Sequence, residues 1–247
     1  MSGLSRFTRI EFKLYLREFL NVFFAIAFPL LMLLLFGSIY GNEPSDFFDG
    51  FGTIDALVPA YICLVIGVNG LMSLPLTIAD YRNKKILKRF KATPINPRDI
   101  LISQYLVMLV MTVFSTILMI VVGKIVFNLQ FFGQLLPIVV AYLMIVASIF
   151  SIGILIAGVS PSGKTAVIIS YLVYFPMLFL SGATLPLNLM PPAMIRIVNI
   201  LPLTYGVRLL SNVWLGQGLA FEPTNIAVLL GIFAVCSALA LKLFKWE

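Results

Sequence analysis

Apolar residues run along this chain in six long blocks divided by short polar breaks. Residues 20–40, 57–79, 100–122, 135–159, 166–185 and 223–241 contain no Asp, Glu, Lys or Arg. Each is close to the ~20 residues that a helix needs to cross the hydrocarbon core of a bilayer, so the pattern predicts six transmembrane helices. Pro29 falls in the middle of the first block and predicts a kink there. Ahead of it, residues 4–19 place Leu4, Phe7, Ile10 and Leu14 at helical spacing among Arg6, Arg9, Lys13 and Arg17. That is the pattern of an interfacial amphipathic helix, its apolar side in the acyl boundary and its basic side toward headgroups. Residues 186–222 alternate apolar pieces of about 10–12 residues with PP, LP and GQG breaks. Pieces that short do not cross a bilayer and read as re-entrant or interfacial helices on the outer side.

Composition agrees with this pattern. Of 247 residues, 61% are hydrophobic and only 11% charged, where a soluble domain carries about 25% charged residues to cover its surface. The expected fold is an all-α membrane protein in one transmembrane domain over residues 1–247. The net charge of +7 would suggest nucleic acid in a soluble protein, but here the cations sit between apolar blocks and meet the lipid bilayer and cytoplasmic partners. Fourteen of the seventeen Lys and Arg residues lie on the side of the N-terminus, and only Lys124, Arg196 and Arg208 fall on the other. The positive-inside rule then places both termini in the cytoplasm of a multi-pass plasma-membrane protein. The basic N-terminus leads into an apolar stretch too long for a signal peptide, with no small-residue cleavage site, and is read as retained. There is no histidine, which removes imidazole bases and His-ligated metal sites. Cys63 and Cys236 both lie inside apolar blocks, where neither a disulfide framework nor a zinc site is expected.

Three groups of residues carry candidate chemistry. GVSPSGKT at 158–165 matches the nucleotide-binding loop pattern at each required position. That loop needs a strand before it and a helix after it; lying between two membrane blocks, this one reads as a tight cytoplasmic turn. In the charged stretch 80–98, Ile86, Leu87 and Phe90 fall on one side of a short helix ringed by Lys84, Lys85, Lys88, Arg89 and Lys91, with Pro94 and Pro97 ending it. Such a helix either docks an apolar knob into a cytoplasmic partner's groove or only sets topology. Finally, polar residues within the blocks are costly unless paired or facing a path. Asn69, Ser73, Gln104 and Ser115 either line a translocation path or bond between helices, and Lys124 snorkels to the outer headgroups. Arg196, Tyr205 and Arg208 are candidates for an external gate, the arginines with Glu222, the acidic 43–55 loop or headgroup phosphates as possible partners. Ala147 with Ser151, and Gly153 with Ala157, have the spacing for close helix packing, within one subunit or between two.

The stretch LKRFKATPINP, residues 87–97, resembles the cytoplasmic loop of ABC type 2 transporter permeases, which ends in Ala/Ser-Thr/Ser-Pro-x-x-Pro. Residues 180–210 are similar to the same family's segment before the last span, through Leu180 to Pro186, Pro191 and Pro202 to Tyr205. The chain departs from the family at Lys85 and Ile86, where Gly-Thr is usual, and keeps only Asp80 of an acidic cluster. The resemblance implies a membrane subunit of an ATP-driven exporter, expected in a bacterial or archaeal plasma membrane. A second permease copy, identical or a sibling, would pair with it, and each copy would dock a separate nucleotide-binding ATPase subunit. Ile86, Leu87, Arg89, Phe90 and Lys91 would form the coupling helix, and the substrate path would run between the permeases. This chain would bind no cofactor and catalyse nothing, with ATP and magnesium held by the partner. A cargo that is amphiphilic or apolar, whether small molecule, lipid, peptide or glycan, suits spans without charge. The alternative is a stand-alone secondary transporter or channel; ion-coupled carriers usually place carboxylates in mid-membrane, and none lies deep in these blocks.

Overall fold

A computed structural model describes residues 3–83, 97–182 and 190–243, the side chains of 3–7, 20, 21, 47, 97–100 and 193 excepted. The protein is an all-α membrane protein. Among the described residues six helices are long and apolar enough to span a bilayer: α2 (Phe23–Tyr40), α3 (Thr53–Asn83), α4 (Pro97–Phe127), α5 (Leu135–Val159), α6 (Gly163–Leu180) and α9 (Pro223–Leu243). Before them lies α1 (Gly3–Arg17), and between α6 and α9 lie α7 (Pro192–Val198) and α8 (Pro202–Trp214).

The six blocks become six helices with shifted ends. α3 starts at Thr53 rather than 57, α4 runs on to Phe127 rather than 122, and α6 stops at Leu180 rather than 185. Two of these shifts have a capping reason. Asn42 Oδ1 accepts the backbone N–H groups of Ile54 and Asp55 at 3.0 and 3.1 Å, so the opening turn of α3 is capped from a loop residue eleven positions before its start. At the end of α4, Asn128 takes φ 52° and Leu129 N–H bonds back to Gly123 O, so a left-handed turn closes the helix. Lys124, whose side chain is exposed, donates from Nζ to Leu129 O at 3.1 Å and strengthens that closure.

α3 is the buried centre of the bundle, while α2 and α9 turn most of their surface outward. Ahead of Pro29, where a kink is expected, runs a stretch of π-helix, Phe23–Ala27, that ends two residues before the proline. A second π stretch, Val68–Ser73, stands in the same relation to Pro75. Proline has no N–H and its ring pushes the carbonyl four residues back out of line, which a wider turn accommodates. The π segment of α3 meets α5 at a crossing of two glycines: a Cβ on Gly153 would stand 1.9 Å from Gly70 O. Gly153 therefore packs inside one subunit.

In 186–222 the pieces are short, as expected, residues 186–189 lying outside the described ones. α8, at 13 residues about 20 Å long, is wedged against α3, α5 and α9 by a buried face that includes Leu203, Val207, Leu210 and Trp214.

Candidate functional site

The end of the bundle that carries α1 gathers the unusual polar groups. α1 packs along α4, but not by the apolar face that its sequence advertises. Ile10, Leu14 and Leu16 stay exposed, whereas Glu11 and Tyr15 are each 5% exposed. Leu4, Arg6 and Phe7 lie outside the described side chains. The inversion has a simple cause. Lipid solvates a leucine as well as protein does, but it offers nothing to a carboxylate or phenol, so the polar side turns inward.

Each inward group finds a partner on α3 or α4. Thr8 Oγ1 donates to Ser103 Oγ at 3.2 Å. Glu11 Oε2 accepts from both Tyr81 Oη and Gln104 Nε2, short bonds from neutral donors. Burial in this setting pushes the Glu11 carboxyl above its ordinary value, the two hydrogen bonds oppose that, and nearby Glu18 adds to it. One turn on, Tyr15 Oη donates to Asn69 Oδ1 at 2.7 Å and lies within reach of Ser73. Asn69 belongs to the π stretch of α3 and is fully buried, with no partner for its Nδ2 among the described residues. A polar chain therefore leads from the bundle's end to its buried centre.

Two adjoining cavities flank this chain. The first, about 470 Å³, lies between α1, α3 and α4 and is lined by Glu11, Tyr15, Arg17, Glu18, Asp80 and Gln104 among others. The second, about 400 Å³, shares Glu18 and Leu76 with it and is walled by Phe19, Phe24, Met72 and Tyr171.

On the opposite flank, Arg82 at the end of α3 donates to the carbonyls of Ala157 and Ser160 at the end of α5. The neighbouring turn packs so tightly that a Cβ on Gly163 would meet Asn83 Nδ2 at 2.2 Å. Ser162 Oγ accepts from Thr165 N–H at 3.2 Å and caps α6, while Lys164 is exposed. A helix, not a strand, precedes SPSGKT, so the resemblance to a nucleotide-binding loop ends at the sequence.

Of the path candidates, the structure brings Asn69, Ser73 and Gln104 together with α1. Ser115 sits three turns along α4 from Gln104, about 16 Å away, with a buried hydroxyl that has no partner among the described residues. The coupling-helix candidates Ile86, Leu87, Arg89, Phe90 and Lys91 lie outside the described residues. Around the gate candidates, Tyr205 Oη donates to Asn199 O at 2.6 Å and Arg208 Nη2 to Asn199 Oδ1 at 2.8 Å, closing the α7–α8 turn. Arg196 is exposed. Arg208 does not pair with Glu222, whose oxygens take Asn212 and Asn225 instead. Asp55, of the acidic loop, takes Asn42 Nδ2 and Gln130 N–H. Glu11, Tyr15 and Tyr81 were missed in the sequence; the signal was Thr8, Glu11 and Tyr15 on one face of a helix otherwise described by its cations and leucines.

Comparison with known proteins bears on most of the chain. "ABC transporter G family member 20" of Dictyostelium discoideum is 27% identical over 196 residues, 78% of this chain and 26% of that protein. "Nodulation protein J" is 37% identical in Rhizobium leguminosarum bv. viciae and 33% in Rhizobium meliloti (strain 1021), each over 79 residues, 32% of this chain and 30% of theirs. The chain thus aligns with only about a quarter to a third of each relative's length. The sequence profile described as ABC-2 type transporter matches residues 4–215, from α1 through α8. A six-helix membrane bundle with that match over most of its length belongs to the ABC-2 type transporter permease family.

Proposed function

We propose that this chain is the membrane subunit of an ATP-driven exporter, working as a pair of permeases with a separate ATPase docked on each. One observation carries the coupling part of the reading: both roots of the 84–96 segment are fastened into the bundle. On one side Tyr81 is tied through Glu11 to α1, and Arg82 to the end of α5; on the other Gln104 meets the same carboxylate. A segment rooted in this way hands a rigid-body displacement to α1, α3, α4 and α5 together. ATP binding on the partner then shifts the population of permease states, with no chemistry in this chain. In this reading α1 lies on the cytoplasmic side, and both termini with it. The permease from a bacterial or archaeal plasma membrane moves an amphiphilic or apolar cargo between the two copies. ATP and magnesium stay with the ATPase.

The test is to purify the tagged chain in mild detergent and identify what accompanies it in stoichiometric amount. We expect an ATPase that is lost with Phe90→Asp while insertion in the membrane persists. A chain that purifies alone and moves solute in vesicles without ATP would overturn the reading.

A further inference from the structure

We propose that the outward face of α1 binds an anionic phospholipid, with the headgroup phosphate on Arg9, Lys13 and Arg17 and the acyl chains over Ile10 and Leu14. The proposal goes beyond the permease reading and does not depend on it.

The inward turn of the polar face decides what α1 shows to its surroundings. With Glu11 and Tyr15 buried against α3 and α4, the cations Arg9, Lys13 and Arg17 are left exposed. At about 3.6 residues per turn and 1.5 Å per residue, these cations fall within an arc of about 80°, spread over about 12 Å, on the side opposite Glu11 and Tyr15. No acid of α1 lies on that arc. None of the three cations donates a hydrogen bond or makes an ion pair among the described residues. Arg9 with Lys13, and Lys13 with Arg17, are like charges four residues apart, an arrangement that destabilises a helix. A shared anion removes that repulsion.

What surrounds the cations names the anion. Exposed Ile10 and Leu14 border the cationic arc on one edge and exposed Leu16 on the other. A soluble acidic ligand would cover the charges and leave these side chains bare. A phosphate joined to acyl chains meets the cations and the apolar borders at once, as the headgroup level of a bilayer does for a basic helix. A zwitterionic lipid carries its own cation beside the phosphate, so net charge selects the acidic headgroup.

A fluorophore on the stripe reads which lipid lies beside it. Cys236→Ser leaves the buried Cys63 as the remaining native thiol, and Ile10→Cys in that background takes a bimane label, which brominated acyl chains quench on contact. The full-length chain is placed in vesicles of phosphatidylcholine and phosphatidylglycerol, one or the other brominated. At equal mole fraction we expect phosphatidylglycerol to be preferred about tenfold beside the label. Lys13→Gln should lower that preference about fivefold. Combining Arg9→Gln, Lys13→Gln and Arg17→Gln should abolish it while brominated phosphatidylcholine still quenches, which shows α1 still in the leaflet. Lys242→Gln, an exposed cation at the end of α9, should leave it unchanged. Equal quenching by both lipids before any cation is removed, a preference that survives the triple substitution, or an equal fall with Lys242→Gln would each overturn the site. A label that neither lipid quenches would give this face to a protein partner and overturn it as well. The assay contains neither ATP nor ATPase, so its failure leaves the permease reading standing, and absence of an ATPase leaves this result standing.

Discussion

Replacing Gly153 by alanine tests the central crossing of the bundle. In α5 this glycine faces the backbone of Gly70 in the π stretch of α3, and a Cβ there would come within 1.9 Å of Gly70 O. Ordinary contact begins near 3.4 Å, so the two helices must part by roughly 1.5 Å, and backbone offers no flexible side chain that can step aside. Alanine also favours the helix by about 0.5–1 kcal/mol relative to glycine. Gly231 in α9 isolates that second effect, since nothing lies within 4 Å of its Cβ position. Overpacking of a tight contact costs about 1–3 kcal/mol, so Gly153→Ala should be less stable than Gly231→Ala by that amount. For a chain of this size, each kcal/mol corresponds to about 2–4 °C in midpoint. Gly70→Ala should fall between them, because its Cβ would meet the movable side chains of Ile149 and Phe150 at 2.9 and 2.7 Å. The assay heats each purified variant in one detergent and follows the surviving monodisperse peak on size exclusion. Gly153→Ala melting level with or above Gly231→Ala would refute the crossing.

Two other consequences concern the ends of the bundle. Asn42→Ala strips α3 of the acceptor for two N-terminal amides, and should cost about 1–2 kcal/mol while speeding hydrogen exchange at Ile54 and Asp55 far more than in mid-helix; unchanged exchange at those two amides would count against a cap. Glu11, whose folded carboxyl titrates above its unfolded value of 4.5, binds a proton more readily in the folded state. Its contribution therefore falls as pH rises from the unfolded value through the folded one, and Glu11→Gln should flatten the melting profile in that window; parallel profiles would contradict it.

The sequence by itself determined where the chain enters and leaves the membrane. Length, lack of charge and hydropathy are properties of a segment, and the bilayer reads them one segment at a time. Six spans, an amphipathic opening helix and short pieces before the last span followed from that, as did the family through LKRFKATPINP and the Pro-Leu-Thr-Tyr element. Asn69, Ser73 and Gln104 were legible as costly polar residues, yet nothing along the chain said that the first two would meet Tyr15 and the third Glu11. Nor did it say that Asn42 would cap a helix beginning eleven residues later. Those pairings belong to the tertiary structure alone. In water an apolar stripe announces which side of a helix is buried, because burial is where the free energy lies. In lipid, leucine is equally at home outside, so the inward face is decided by the polar groups that only another helix can satisfy and by the glycines that let backbones touch. α1, with Ile10 and Leu14 outward and Glu11 and Tyr15 inward, is that physics on a single helix.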